Sequence, residues 1–269
     1  MSIQSTRSTF SRDMHSETEL PGNPFPLETH AVIQTRYFLA GELATGKDLL
    51  EVGCGSGIGI SYLANKAKTY TGGEHSEENL EFIQRTHGSQ FHVEKVDAHD
   101  MPFDDNSFDV VVALAMVYYL DLKVFLKEVS RVLRPGGTLF FCTSNHDVPG
   151  FVPAPFTTGY YSVPVLKSLL AGEGWRAEFQ GAFPAPGGSL FRRNIRALAK
   201  NTIKAIVTCL PGGGAYWRRL RTNSLGGLVP LPTDLKQMDF DLDSTVFSIS
   251  SNAIESSYRI IYVTCRRKK

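Results

Sequence analysis

The chain has 269 residues, 42% hydrophobic and 20% charged, an ordinary globular composition with enough apolar mass for one large domain and an elaboration. A formal net charge of +1 excludes a molecule-wide field for nucleic acid or membrane, so any such signal must be local. Cys54, Cys142, Cys209 and Cys265 are widely spaced and form no CxxC pair, which argues against a disulfide framework or zinc site and fits a reducing, cytoplasmic setting.

Residues 1–29 are rich in Ser, Thr, Pro and Gly and read as a mobile N-terminal arm. From Glu28 to Leu43 apolar residues recur at helical spacing, and Gly46-Lys47-Asp48 breaks the pattern before the strand LLEV. SGIGISYLANKA opens a helix behind the glycines and KTYTGGE is a second strand. SEENLEFIQRTHG is a helix capped by Ser76, with Glu77 and Glu78 in its first turn. FHVEKVDA is a third strand, and VVVALAM has the continuous apolar character of a strand buried in a parallel sheet. LKVFLKEVSRVLR is an amphipathic helix ended by PGG, and TLFFCTS a fifth strand. SVPVLKSLLAGEGW gives another helix, RAEFQGAF a sixth strand and SYRIIYVTC a seventh. This alternation predicts an α/β fold, a doubly wound and mostly parallel sheet of seven strands. If the last two strands pair as a hairpin, residues 184–256 are an insertion and 257–269 hold the last strand and a basic tail. No stretch approaches the ~20 apolar residues of a membrane span.

The stretch LLEVGCGSGIGI carries four glycines directly behind the first strand, where a doubly wound sheet binds its ligand. Glycines there let the chain turn tightly and let the backbone approach a ligand with no Cβ in the way. The dinucleotide pattern GxGxxG fails in both frames, at Ile58 and at Ile60, which disfavours a dehydrogenase. GELATGKD imitates a nucleoside-triphosphate loop, but it ends in Asp and precedes a strand instead of following one.

LLEVGCGSG, GGEHS, VDAHDMPFDDNSFDVVVALAMVYYL and FLKEVSRVLRPGGTLFFC occur in that order between about residues 28 and 183. Together they resemble the class I S-adenosylmethionine-dependent methyltransferases of the ubiquinone-biosynthesis-like type. The resemblance implies a core over residues 30–183, the cofactor S-adenosyl-L-methionine and no metal. It also implies that Glu74 accepts hydrogen bonds from the ribose hydroxyls, with His75 beside the adenosine, and that Asp97 and the Ala98 amide hold the adenine. Glu51 and Gly53 would face the methionine end with Gly55 under the ribose, while Ala113 and Leu114 would floor the sulfonium pocket. Arg36-Tyr37 resembles an RY pair that precedes the glycine loop in many relatives, and Tyr37 would close over the cofactor.

Methyl transfer to a hydroxyl or protonated amine also needs a general base within reach of the acceptor. Tyr118 and Tyr119, where relatives often carry Glu, Asn or His, and His146 in SNHD are the catalytic candidates. The tyrosines could instead hold a cation or ring, or pack. The expected activity is O-, N- or C-methylation of a small molecule, and the alternative is a protein that binds the cofactor without turning it over. Between Glu178 and Asp234 there is no acidic residue but eight basic ones, with Arg192, Arg196, Lys200 and Lys204 on one face of an expected helix. A solvated face explains this; so does a cap favouring an anionic or amphiphilic acceptor, with contact at a membrane periphery rather than with nucleic acid.

Overall fold

The computed structural model describes residues 19–185, 228–238, 245–250 and 252–267. A short strand β1 (Pro24–Pro26) leads into α1 (Leu27–Ala44), so a strand and the first turn of a helix lie inside the arm expected to be mobile up to residue 29. Then follow β2 (Asp48–Val52), α2 (Ile60–Lys66), β3 (Thr69–Glu74), α3 (Glu77–His87), β4 (His92–Lys95) and β5 (Phe108–Leu114). A 3-10 turn (Val117–Tyr119) precedes α4 (Leu122–Val132), β6 (Leu133–Ser144), α5 (Val163–Gly172) and β7 (Trp175–Pro184). Beyond residue 227 come β8 (Leu228–Pro230), a 3-10 turn (Leu235–Gln237), β9 (Phe247–Ser248) and β10 (Tyr258–Arg267).

The main sheet has the order β4-β3-β2-β5-β6-β10-β7-β9. Its first five strands are parallel, and β10 lies antiparallel between β6 and β7. The fold is the expected doubly wound one, with an eighth strand of two residues added at the edge. Residues 192–210, the expected basic helix, lie outside the described residues, as do Arg218, Arg219 and Arg221.

Two local expectations change. The helix behind the glycines starts only at Ile60, because Gly53, Gly55 and Gly57 all have positive φ and hold the chain in a loop. The PGG segment lies inside β6: Leu133 already pairs with Phe108, and the ladder resumes after an irregularity at Val110↔Thr138.

Burial follows from pattern. The β5 run is buried on both faces, Val111 against one helical layer and Val110 and Val112 against the other. On α4 the Asp121 carboxylate accepts from the Lys123 and Val124 amides, which orients Phe125, Leu126, Val129 and Val132 onto the sheet. Full burial of each such side chain is worth roughly 1.5–3 kcal/mol. At the end of the sheet remote from the glycine loop, Arg134 bridges Asp48 at 2.7 Å and Asp109 at 2.9 Å, tying β2, β5 and β6 together.

Candidate active site

The switch point lies where β2 has β3 on one side and β5 on the other. The glycine loop leaves β2 here, and the Gly53 and Cys54 amides donate to the Gly73 carbonyl at 2.7 and 3.1 Å. Each glycine has a separate reason to be there. A Cβ on Gly53 would press on the Met116 side chain at 3.1 Å. Gly55 sits at φ +60 and a Cβ there would meet nothing within 4 Å, so the backbone faces open space in a conformation that disfavours any side chain. A Cβ on Gly59 would lie 1.9 Å from the Tyr37 ring.

Tyr37 is therefore the brace between α1 and the loop, and it is buried. Gly59 was visible in the glycine run, but nothing local said which ring it accommodates.

Glu74, at the tip of β3, accepts from the Gly55 amide through Oε2 and from the Ser76 amide through Oε1, each at 2.8 Å. Two backbone amides thus aim the carboxylate while leaving further acceptor capacity. Glu51, one strand over, is fully buried. Its Oε2 accepts from the Tyr70 hydroxyl at 2.6 Å and its Oε1 has no partner. Burial pushes the Glu51 carboxyl up to about 7, against the opposing pull of Tyr70, Tyr37 and Arg36.

Arg36 is buried and stacks toward the Tyr37 ring at 5.5 Å. Glu19 pairs with it through both carboxylate oxygens, while Nε is left without a partner. Burial works against the charge, and the Glu19 carboxylate more than offsets it, holding the guanidinium above the usual arginine range.

Farther along the strand ends, Asp97 is exposed and its carboxylate accepts from the His99 amide at 2.8 Å, with Ala98 buried beside it. His75 is exposed next to Glu74. Ala113 and Leu114 are buried in the β5 layer, and the chain turns directly after them through Ala115, a non-glycine residue at φ 58. That strained turn left no trace in the sequence.

Tyr118 and Tyr119 follow on the 3-10 turn, with ring centroids 4.8 Å apart. Tyr160 stacks on Tyr118 at 4.8 Å and meets Phe151 edge to face at 4.7 Å. Burial pushes the Tyr118 phenol well above its usual value, and Tyr119 shifts the same way. Near neutral pH both are therefore hydroxyl donors rather than bases.

Phe151 also lines a cavity of about 500 Å³ between α1, the loop after β6 and the start of β10. Val32, Val148, Phe183 and Ile260 add apolar wall, and Arg259 paired with Glu28 forms a polar side; the Arg259 Nε has no partner. His146 lies next to Asn145, a cavity residue, but does not itself line the cavity. Its Nε2 lies 3.3 Å from Asp147 Oδ1, and its Nδ1 is buried without a partner. Tyr160, Phe151, Asp147 and Arg259 were not singled out in the sequence, since each is recruited by chain packing rather than by a motif.

A doubly wound sheet with a bare, left-handed glycine loop at its switch point, beside a carboxylate at the tip of β3, is the arrangement in which α/β folds of this kind bind nucleoside cofactors. Residues 50–141 match the methyltransferase domain family.

Among curated relatives, the fatty-acid O-methyltransferase of Mycolicibacterium smegmatis is 42% identical over 112 residues, 39% of this chain and 40% of that protein. The probable phthiotriol/phenolphthiotriol dimycocerosates methyltransferase 2 of Mycobacterium ulcerans is 43% identical over 99 residues, 35% of this chain and 38% of that protein. The chain thus matches about two fifths of the length of these relatives.

Solved structures share the fold more widely. A methyltransferase of Thermotoga maritima, described as a possible histamine N-methyltransferase, aligns over 89% of this chain and 91% of its own with TM-score 0.54 and 16% identity. The [4+2]-cyclase SpnF aligns over 88% of this chain and 80% of its own with TM-score 0.54 and 17% identity. A cyclase on the same frame means that the fold alone does not decide the chemistry. Among the described residues no helix is long and apolar enough to cross a membrane.

Proposed function

We propose that the protein is an S-adenosylmethionine-dependent methyltransferase acting on a small amphiphilic acceptor. The observation that carries this reading is Gly55, left-handed and sterically open, with its amide fixed on the Glu74 carboxylate. The residues present fit the cofactor's chemistry. Glu74 retains acceptor capacity for ribose hydroxyls, Asp97 and the Ala98 amide just beyond β4 are the proposed adenine contacts, and the unpartnered Nε of the buried Arg36 suits a carboxylate. Gly53 and Glu51 border the amino-acid end, and the turn after Ala113 and Leu114 brings Met116 against Gly53. When bound, S-adenosylmethionine supplies a methyl group made electrophilic by its sulfonium charge.

The residues of this chain then have to align the acceptor, exclude water and accept a proton. The cavity beside Phe151 is the proposed acceptor seat: an apolar wall with one Arg–Glu pair suits a molecule with an apolar body and a polar head. The Tyr118, Tyr160 and Phe151 rings join that seat to the end of β5. For acceptors that must lose a proton, His146 is the proposed base: it stands beside the cavity with Nε2 on Asp147, and its ring has to turn a nitrogen toward the acceptor for the transfer. The names of the relatives, a fatty-acid O-methyltransferase and a probable phthiotriol/phenolphthiotriol dimycocerosates methyltransferase, support this reading. We place the reaction in the cytoplasm, where free buried thiols such as Cys54, Cys142 and Cys265 persist.

The test is incubation of the protein with methyl-deuterated S-adenosylmethionine and a panel of long-chain carboxylic acids, alcohols and phenols, read by mass spectrometry. Methylated product together with S-adenosylhomocysteine supports the reading. Tight cofactor binding without product from any panel member or from a cell extract would instead favour a non-catalytic binder.

A further inference from the structure

The guanidinium of Arg36 is 5% exposed, and a cation buried to that degree requires an anion. The anion it has comes from upstream of β1, at Glu19. Glu19 Oε1 accepts from Nη1 at 3.1 Å and Oε2 pairs with Nη2, while the Glu19 carbonyl accepts from Ser56 Oγ at 3.3 Å. Ser56 directly follows Gly55 in the glycine loop, so one residue spans the buried cation and the loop.

The pairing is incomplete, since the Arg36 Nε remains buried and bare. S-Adenosylmethionine is itself an amino acid and brings an α-carboxylate into this region. We propose that Glu19 is an internal competitor of the cofactor: its carboxylate occupies the seat on Arg36 that the cofactor's carboxylate takes, and it must swing off the loop for the cofactor to enter. This rests on the reading of the loop as an S-adenosylmethionine site.

The surroundings are built for such a movement. Downstream of Glu19 the strap is anchored, with β1 pairing β8 over three residues, the Gly22 amide donating to the Leu231 carbonyl at 2.7 Å and the Leu231 amide donating to the Asn23 carbonyl at 2.9 Å. The partner strap is anchored in turn to the loop, because the Leu235 amide donates to the Ile58 carbonyl at 2.7 Å and Ser61 Oγ to Asp234 at 2.6 Å. Gly22, at φ +86 with open space around it, is the turn between the anchored part and Glu19. Rotation there gives up the Gly22–Leu231 and Asn23–Leu20 backbone bonds and frees Arg36, while the Pro24–Pro26 pairing with β8 stays in place.

The test is calorimetry on the full chain with two nucleosides. S-Adenosylhomocysteine carries the amino-acid end; 5′-methylthioadenosine lacks it. Removing an internal competitor raises apparent affinity by the reciprocal of the fraction of molecules in which the seat is free. Glu19→Gln should therefore tighten S-adenosylhomocysteine by about tenfold and leave methylthioadenosine unchanged. Since the variant leaves Arg36 without its anion and can weaken the fold, thermal unfolding provides a second measurement. S-Adenosylhomocysteine should raise the melting temperature of the variant more than that of the parent, and methylthioadenosine should raise both equally.

Unchanged or weaker S-adenosylhomocysteine binding in the variant overturns the proposal, as does equal tightening of both nucleosides, which would mark a general opening of the strap. Failure of the parent to bind methylthioadenosine would remove the cofactor reading itself, and this inference with it.

Discussion

The two sides of the candidate site are built in opposite ways. The proposed cofactor side comes from a nearly continuous segment, in which Glu51, Gly53, Gly55, Glu74, Asp97 and Ala98 all sit at or just beyond the ends of neighbouring parallel strands. The proposed acceptor side draws Glu28 and Val32 from α1, Tyr118 from the turn after β5, Phe151 and Tyr160 from the loop after β6, and Arg259 from β10. One side is made by the connectivity of the strands, the other by packing across more than 200 positions of chain. Changes on the first side should therefore move stability and cofactor affinity together, whereas changes on the second should move acceptor kinetics alone.

The largest expected effect is at Gly59. A valine there would drive its Cβ into the Tyr37 ring, and overpacking of this kind costs about 3 kcal/mol at the upper end of its usual range. Urea unfolding should reveal the loss, and cofactor binding should weaken with it. A variant as stable as its parent would mean that Tyr37 does not brace the loop.

Glu51 gives an effect of similar size with a defined pH signature. Its carboxyl titrates near 7 in the fold against an ordinary value of 4.5, so between those values the folded protein holds a proton that the unfolded chain has lost. Its contribution to stability is fully present below about 4.5 and is lost as the pH rises through about 7. The loss amounts to roughly 3 kcal/mol from the shift in pKa. Stability measured from pH 4 to 8 should show this fall in the parent relative to Glu51→Gln; parallel curves would contradict it.

On the acceptor side, His146→Ala should lower turnover by about 100-fold or more if the imidazole takes the proton, with cofactor affinity unchanged. Loss of affinity instead would move His146 to the cofactor side of the comparison.

Smaller again are Gly55→Val and Glu74→Ala, each expected to weaken cofactor binding tenfold or more, about 1.5–3 kcal/mol for a lost charge-assisted hydrogen bond. Glu74→Ala also strands the Gly55 and Ser76 amides, so its melting temperature should fall. Gly55→Val should show backbone strain without a clash. The smallest change is expected for Arg259→Gln: a Michaelis constant for a long-chain carboxylic acid raised about threefold to tenfold, in the range of a single exposed-to-half-buried charge contact, with cofactor affinity constant. An unaltered Michaelis constant would remove Arg259 from the acceptor seat.

Sequence by itself determined the class of fold and the position of the glycine loop. Strand periodicity is a property of adjacent residues, and a parallel sheet forces the residue after each strand to the same edge, so Gly55 and Glu74 were legible as candidate site residues, and the structure brings them into hydrogen-bond contact. Ser76 was legible as a cap for the same local reason, and its Oγ accepts from the Asn79 amide at 3.4 Å. Tertiary structure alone decided what each of these residues meets. It placed Glu19, in a segment with no pattern of its own, on Arg36; it set Tyr37 against Gly59 and left Glu51 half-satisfied; and it gathered Phe151, Tyr160 and Arg259 into one cavity wall. Those contacts depend on which distant surfaces are driven together by burial, and burial is non-directional: it selects apolar residues for the interior without encoding which partner each will find.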